Sequence, residues 1–366
     1  MAVRRAGDPN RHRLVEPAAL AALVERVRPD VLDLHEEPFS SITHQVLGVV
    51  PGQLPVVGYT AQNLDKRFPP PFARWEQAAL RRLGGLYPCS HQAASVAVGK
   101  GFTGPVRVLP LAPSSAMVPG QQDITKGPVQ LLMVGRMVPE KGVLDAVETL
   151  AGLAAQVPTT LTLVGSGPAE GAARARAAEL GVADALRVVG WVGAEELTRI
   201  YQRSHVLLAP SRTEASWVEQ FGRMVVEARA CGVVVVAYAS GSLPEVVGEA
   251  GVLVAEGDHE GMRAACFALH ARPHRWVQLR SAGLAAHRSW DDVAAEQVEL
   301  YTEAAARPTG QRPLRPARVT ARAHWGPPAG DGRRFALPVL RKNPPGAALL
   351  ARALDAVAAR ERPDEP

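Results

Sequence analysis

No stretch of the 366-residue sequence approaches the roughly 18 consecutive apolar residues of a membrane-spanning helix, so no span is expected. Cysteine is scarce. Cys89, Cys231 and Cys266 are the only three, and none has metal-ligand spacing, which fits small buried thiols in a reduced, cytoplasmic protein. The basic start, Met1-Ala2-Val3-Arg4-Arg5, has no apolar signal core behind it, so no export is expected. The glycine fingerprint of dinucleotide enzymes is missing, which disfavours an oxidoreductase. Aromatic residues make up only 5% of the chain.

Positive charge is also short outside one segment. The chain carries a net +5, but residues 307–366 hold 12 Lys and Arg against 5 Asp and Glu, and 10 of the 31 prolines. The other 306 residues sum to −2, so no basic patch for nucleic acid is expected on the body. The tail reads as a largely disordered basic Pro/Arg-rich appendage, with a last amphipathic helix over 347–360.

What remains is a soluble α/β composition, 47% hydrophobic and 21% charged, long enough for two cores. In the first part, a helix is expected over 18–27, strands over 31–35, 54–59, 86–90 and 106–111, and a helix over 72–83. A Pro/Gly/Ser-rich linker, 114–128, leads to a second series with strands at 129–134, 160–164, 186–189, 205–209, 233–238 and 252–254. Helical patterns lie between most of these, which argues for a doubly wound parallel sheet. Helices near 276–287 and 290–306 close the body. The expected division is 1–113, an incomplete first domain; 114–128; 129–289, the second domain; 290–306, a closing helix; and 307–366.

Two stretches carry chemistry. Gly135-Arg136-Met137-Val138-Pro139-Glu140-Lys141-Gly142 follows the strand run 129–134 and precedes a helical pattern. Strand, glycine turn and helix start is the geometry of an anion site, and Arg136 and Lys141 flank the turn within reach of one diphosphate. The alternative is a surface turn with two solvated cations. The second stretch runs from Glu219 to Glu227, through Phe221-Gly222 at a helix start. The two carboxylates stand eight residues apart, and each suits a vicinal diol, one on a sugar and one on a ribose. The alternative is a solvated helix glutamate at 227.

Together with Gly165-Ser166-Gly167-Pro168, Pro210-Ser211-Arg212 and Gly241-Ser242-Leu243-Pro244-Glu245, these stretches make residues 28–305 resemble the retaining, nucleotide-sugar-dependent glycosyltransferases of family 4. The resemblance implies the GT-B fold, two Rossmann-like domains facing across a cleft. It implies that Arg136 and Lys141, in the turn opened by Gly135, bind the donor diphosphate and stabilise the charge growing on it. Glu227 would hold the ribose, Glu219 the donor sugar, and backbone at Phe221-Gly222 the sugar and phosphate. Trp191-Val192 would lie beside the base. The donor would be a UDP- or GDP-sugar with no metal, and the acceptor a glycan, lipid-linked or small molecule, with peripheral membrane contact open. Retention would come from front-face attack, with a leaving phosphate oxygen helping to take the acceptor's proton.

This sequence departs from the family twice. Only 28 residues precede Pro29, with Gly7 their single glycine, where the family has a longer stretch with further strands and a glycine-rich loop. A truncated gene product or a misassigned start is the expectation. Gln62 stands where relatives often have a histidine, and whether His35 substitutes for it is open. The leading reading is a retaining glycosyltransferase. The alternative is a nucleotide-sugar-binding protein with little or no turnover.

Overall fold

The computed structural model describes residues 3–4, 11–307 and 334–335. The helix expected over 347–360 lies outside the described residues, as does the character of the tail around it. The chain divides into two compact units. One takes residues up to Cys89, Ala93–Val108 and those from Gln297 onward; the other takes Ser90–Gln92 and Leu109–Glu296.

The first unit is built on a three-stranded parallel sheet, β1 (Leu32–Leu34), β2 (Val56–Thr60) and β3 (Gly85–Pro88), in the order β1-β2-β3. Helices α1 (Pro17–Val27), α2 (Ser41–Val49), α3 (Phe72–Arg82) and α4 (His91–Gly99) alternate with the strands. Val56, Leu80, Leu83 and Leu86 fill its core with Val24, Val46 and Phe102. The fourth expected strand, 106–111, does not form. Val106 makes one isolated parallel bridge to Leu86. Pro110 has no N–H to extend the ladder, so the chain leaves the sheet there.

The second unit is a six-stranded, all-parallel sheet: β4 (Val129–Val134), β5 (Thr159–Val164), β6 (Leu186–Val189), β7 (Val206–Ala209), β8 (Val234–Tyr238) and β9 (Gly251–Val254). The strand order is β9-β8-β7-β4-β5-β6. Successive strands step outward from β4 on one side and from β7 on the other, so the order reverses between these neighbours. Ligands of such sheets bind outside the carboxyl ends of the strands at that switch point. The strands are near-continuous apolar runs because helices cover both faces. Leu131, Leu161, Leu163, Val206, Leu208, Val234 and Val236 are fully buried. The covering helices are α5 (Val143–Ala154), α6 (Glu170–Glu179), α7 (Ala194–Arg203), α8 (Arg223–Ala230), α9 (Leu243–Val247), α10 (His259–Ala271) and α11 (Pro273–Ala285).

The last helix among the described residues, α12 (Trp290–Ala305), belongs to the first unit from Gln297 on. Leu300 and Ala304 pack over Gly85 and Gly84, where a side chain would stand in their way. The Tyr301 hydroxyl and the Gln297 amide donate to Asp33, at 2.7 and 2.9 Å. Arg107 pairs with Glu299 and Glu303 on the same helix. Among the described residues, no helix is long and apolar enough to cross a membrane.

Candidate functional site

The two strands at the switch point, β4 and β7, carry the informative loops at their carboxyl ends. Beyond β4 the chain passes Gly135 and one 3-10 turn, Pro139–Lys141, before α5 starts at Val143. Gly142 joins the two in the left-handed region, φ 69°. A Cβ there would collide with the Pro210 carbonyl oxygen beyond β7, so the residue must be glycine for the two loops to close on each other. The Arg212 amide donates to the Glu140 carbonyl, 2.8 Å, and its guanidinium forks onto Asp145 of α5, both contacts 2.7 Å. The turn holding Lys141 and the loop leading to Glu219 are therefore one bonded assembly, although the two residues lie far apart in sequence.

Arg136 and Lys141 have different surroundings. The Arg136 side chain is 62% exposed, with Glu140 3.8 Å away. Lys141 is 14% exposed, its ammonium donates to the buried Glu219 carboxylate, and it lies 5.0 Å from the Trp217 ring centre. The same Glu219 oxygen accepts the Ser211 hydroxyl, 2.9 Å. Phe221 is buried beside it. Gly222, at φ 83°, caps α8, and a helix start of this kind suits an anion.

Glu227 sits one turn into α8 and is not a solvated helix residue. Its carboxylate accepts the Tyr201 hydroxyl, 2.9 Å, and faces Arg223 at 3.4 Å. Burial raises its carboxyl above the usual range, against the lowering effects of Tyr201 and Arg223. Trp191 stands 85% exposed on the turn after β6, with Val192 half-buried beside it. Among the described residues, no group of three or more His, Cys, Asp or Glu could hold a metal ion.

The first unit has its own polar cluster at strand ends. Glu37 accepts the Thr60 hydroxyl at 2.7 Å and the Ala61 amide at 2.8 Å. Burial pushes its carboxyl up to about 7, opposed by those two bonds. Lys100 pairs with Glu76, 2.8 Å, and caps the Lys66 carbonyl. His35 stacks on Tyr59, ring centres 4.1 Å apart, with Nδ1 3.2 Å from the Tyr87 hydroxyl. Gln62 is buried, its amide donating to the Leu64 carbonyl, 3.2 Å.

Sequence reasoning picked Arg136, Lys141, Glu219 and Glu227, and the second unit holds all four on the loops and helix starts around the switch point. It missed Trp217, Asp145 and Tyr201. The apolar, helical spacing around Asp145 marked that residue as inward-facing and charged, a signal that a partner was needed.

Residues 118–270 match the family model described as glycosyl transferases group 1. The GDP-mannose-dependent alpha-(1-6)-phosphatidylinositol monomannoside mannosyltransferase of Mycolicibacterium smegmatis is 35% identical over 158 residues, 42% of this chain and 41% of that protein. The chain spans 30–43% of the length of the curated relatives it matches. Among solved structures, a glycosyltransferase from Rickettsia africae superposes with TM-score 0.65 at 16% identity, over 83% of this chain and 84% of that one. Anabaena HepE, solved in complex with UDP, superposes with TM-score 0.59 at 19% identity, over 77% and 81%.

Proposed function

We propose that the chain, similar over residues 118–270 to the glycosyl transferases group 1 and GT-B in fold with a smaller N-terminal sheet, is a retaining glycosyltransferase. It moves a sugar from a UDP- or GDP-sugar to a hydroxyl of a glycan, a lipid-linked or a small-molecule acceptor. The observation that carries this reading is the bonded assembly of the Lys141 turn and the Glu219 loop at the switch point, with the α8 start beside it. Arg136 and Lys141 take the diphosphate and stabilise the charge that develops as the sugar leaves. Glu227 accepts the ribose hydroxyls, Glu219 those of the sugar, and the Phe221-Gly222 backbone meets sugar and phosphate. Trp191 and Val192 flank the base. The acceptor attacks the face from which the diphosphate leaves, and a diphosphate oxygen takes its proton, so no protein nucleophile is needed.

Support for the donor class comes from relatives and neighbours whose names include GDP-mannose and UDP. The test is turnover: donor consumption with a panel of glycan and lipid-linked acceptors, and the anomeric configuration of the product by NMR. Retained configuration supports the reading; an inverted product overturns the mechanism. A second reading, nucleotide-sugar binding with little or no turnover, is favoured by Gln62. Its amide is committed to the Leu64 carbonyl and cannot take up a proton as an imidazole does. Donor binding without consumption across that panel would decide for it.

A further inference from the structure

The two cations of the Gly135–Gly142 turn are not equally available. Arg136 is open to solvent, whereas the Lys141 ammonium is already engaged by Glu219 and capped by the Trp217 ring. A nucleoside diphosphate needs Lys141, and it must meet an ammonium whose charge is answered by a carboxylate 9% exposed. Resting on the donor-site reading above, we propose that Lys141, Glu219 and Trp217 form a latch, and that a nucleoside diphosphate binds by taking Lys141 away from Glu219.

The backbone that carries the latch is held by hydrogen bonds. Glu219 is fixed through its backbone: its carbonyl accepts the Ser242 amide, 3.0 Å, and lies where a Cβ of Gly241 would stand. Ser240 donates to the Ser211 carbonyl, and Ser211 to Glu219, so the carboxylate keeps a partner after Lys141 leaves. The Trp217 side of the loop is a narrow hairpin. Glu214 and Trp217 exchange both amide bonds, 2.8 and 3.2 Å, and Thr213 is tied to Glu256 at 2.6 and 2.8 Å. Lys141 stands on the 3-10 turn and has four rotatable bonds. The diphosphate first meets exposed Arg136. The lysine then turns from a one-charge partner to one carrying two or more charges, and Glu219 is left with lone pairs for sugar hydroxyls. Engaging the diphosphate thus prepares the carboxylate for the sugar.

The latch predicts an effect opposite in sign to a purely sugar-binding Glu219. Calorimetric titration of the full chain with UDP, GDP and inorganic pyrophosphate, none of which carries a sugar, reads it directly. Glu219→Gln removes the competing charge and is expected to tighten binding by at least roughly fivefold. Glu219→Asp keeps the charge but shortens its reach, and tightens binding to a smaller extent. It serves as the second variant if Glu219→Gln fails to fold. Unchanged or weaker binding in these variants, with Lys141→Ala still losing affinity, overturns the latch and leaves the donor site standing. Unaltered binding in Lys141→Ala, or no binding of any probe by wild type and variants alike, overturns both.

Discussion

The carboxylate at 227 has two polar neighbours, Tyr201 and Arg223. Tyr201 is fully buried and its hydroxyl has Glu227 as its strong acceptor. Tyr201→Phe leaves a buried carboxylate short of a donor and is expected to cost about 1–3 kcal/mol, read by urea unfolding. The raised carboxyl of Glu227 also sets a pH dependence. Protonated, it loses its charge and becomes a weaker acceptor for the ribose hydroxyls, so nucleotide affinity is expected to rise as pH rises through its raised pKa and then level off. Glu37, in the first unit, bears on stability instead. Its carboxyl ionises near 7 when folded and at 4.5 when unfolded, so between those values the folded state holds a proton the unfolded state lacks. Stability therefore falls as pH rises across that window, by roughly 1–3 kcal/mol. Glu37→Gln should flatten the midpoint of denaturation between pH 4.5 and 7; an unchanged slope would exclude Glu37 as its source.

At the scale of elements, the strand–turn–helix joints carry the site. Gly142→Ala puts a Cβ against the Pro210 carbonyl in a left-handed conformation, at an expected cost of roughly 2–4 kcal/mol. A thermal midpoint within a degree of wild type would contradict the close approach of the two loops. Much of this architecture was legible in the sequence. The run Val129–Val134 forms a strand with the expected bounds, because a branched apolar run ending in glycine has few other solutions between covering helices. The helix Ser41–Val49 was not anticipated: Ile42, Thr43, Val46, Val49 and Gly48 argue against a helix locally, and burial of Val46 with the Ser40 cap outweighs them. In the site, residue types and order were readable, but the Lys141–Glu219 pair and the Arg212–Asp145 fork were not, since each joins residues brought together only by parallel crossover connections.

Across the whole molecule, two units with separate cores imply separate responses to a ligand. The residues proposed for the donor site all lie in the six-stranded unit. A nucleotide at about 100 times its Kd should stabilise that unit by about 2.7 kcal/mol and leave the three-stranded unit's hydrogen-exchange protection unchanged. Equal protection gains in both would contradict this assignment. The measurement that tests the central claim most directly is calorimetric titration of the full chain with UDP and with GDP, beside Lys141→Ala and Glu227→Ala. The account predicts selective binding of one nucleotide, weakened at least about tenfold in each variant. Unchanged affinity in both folded variants would contradict it.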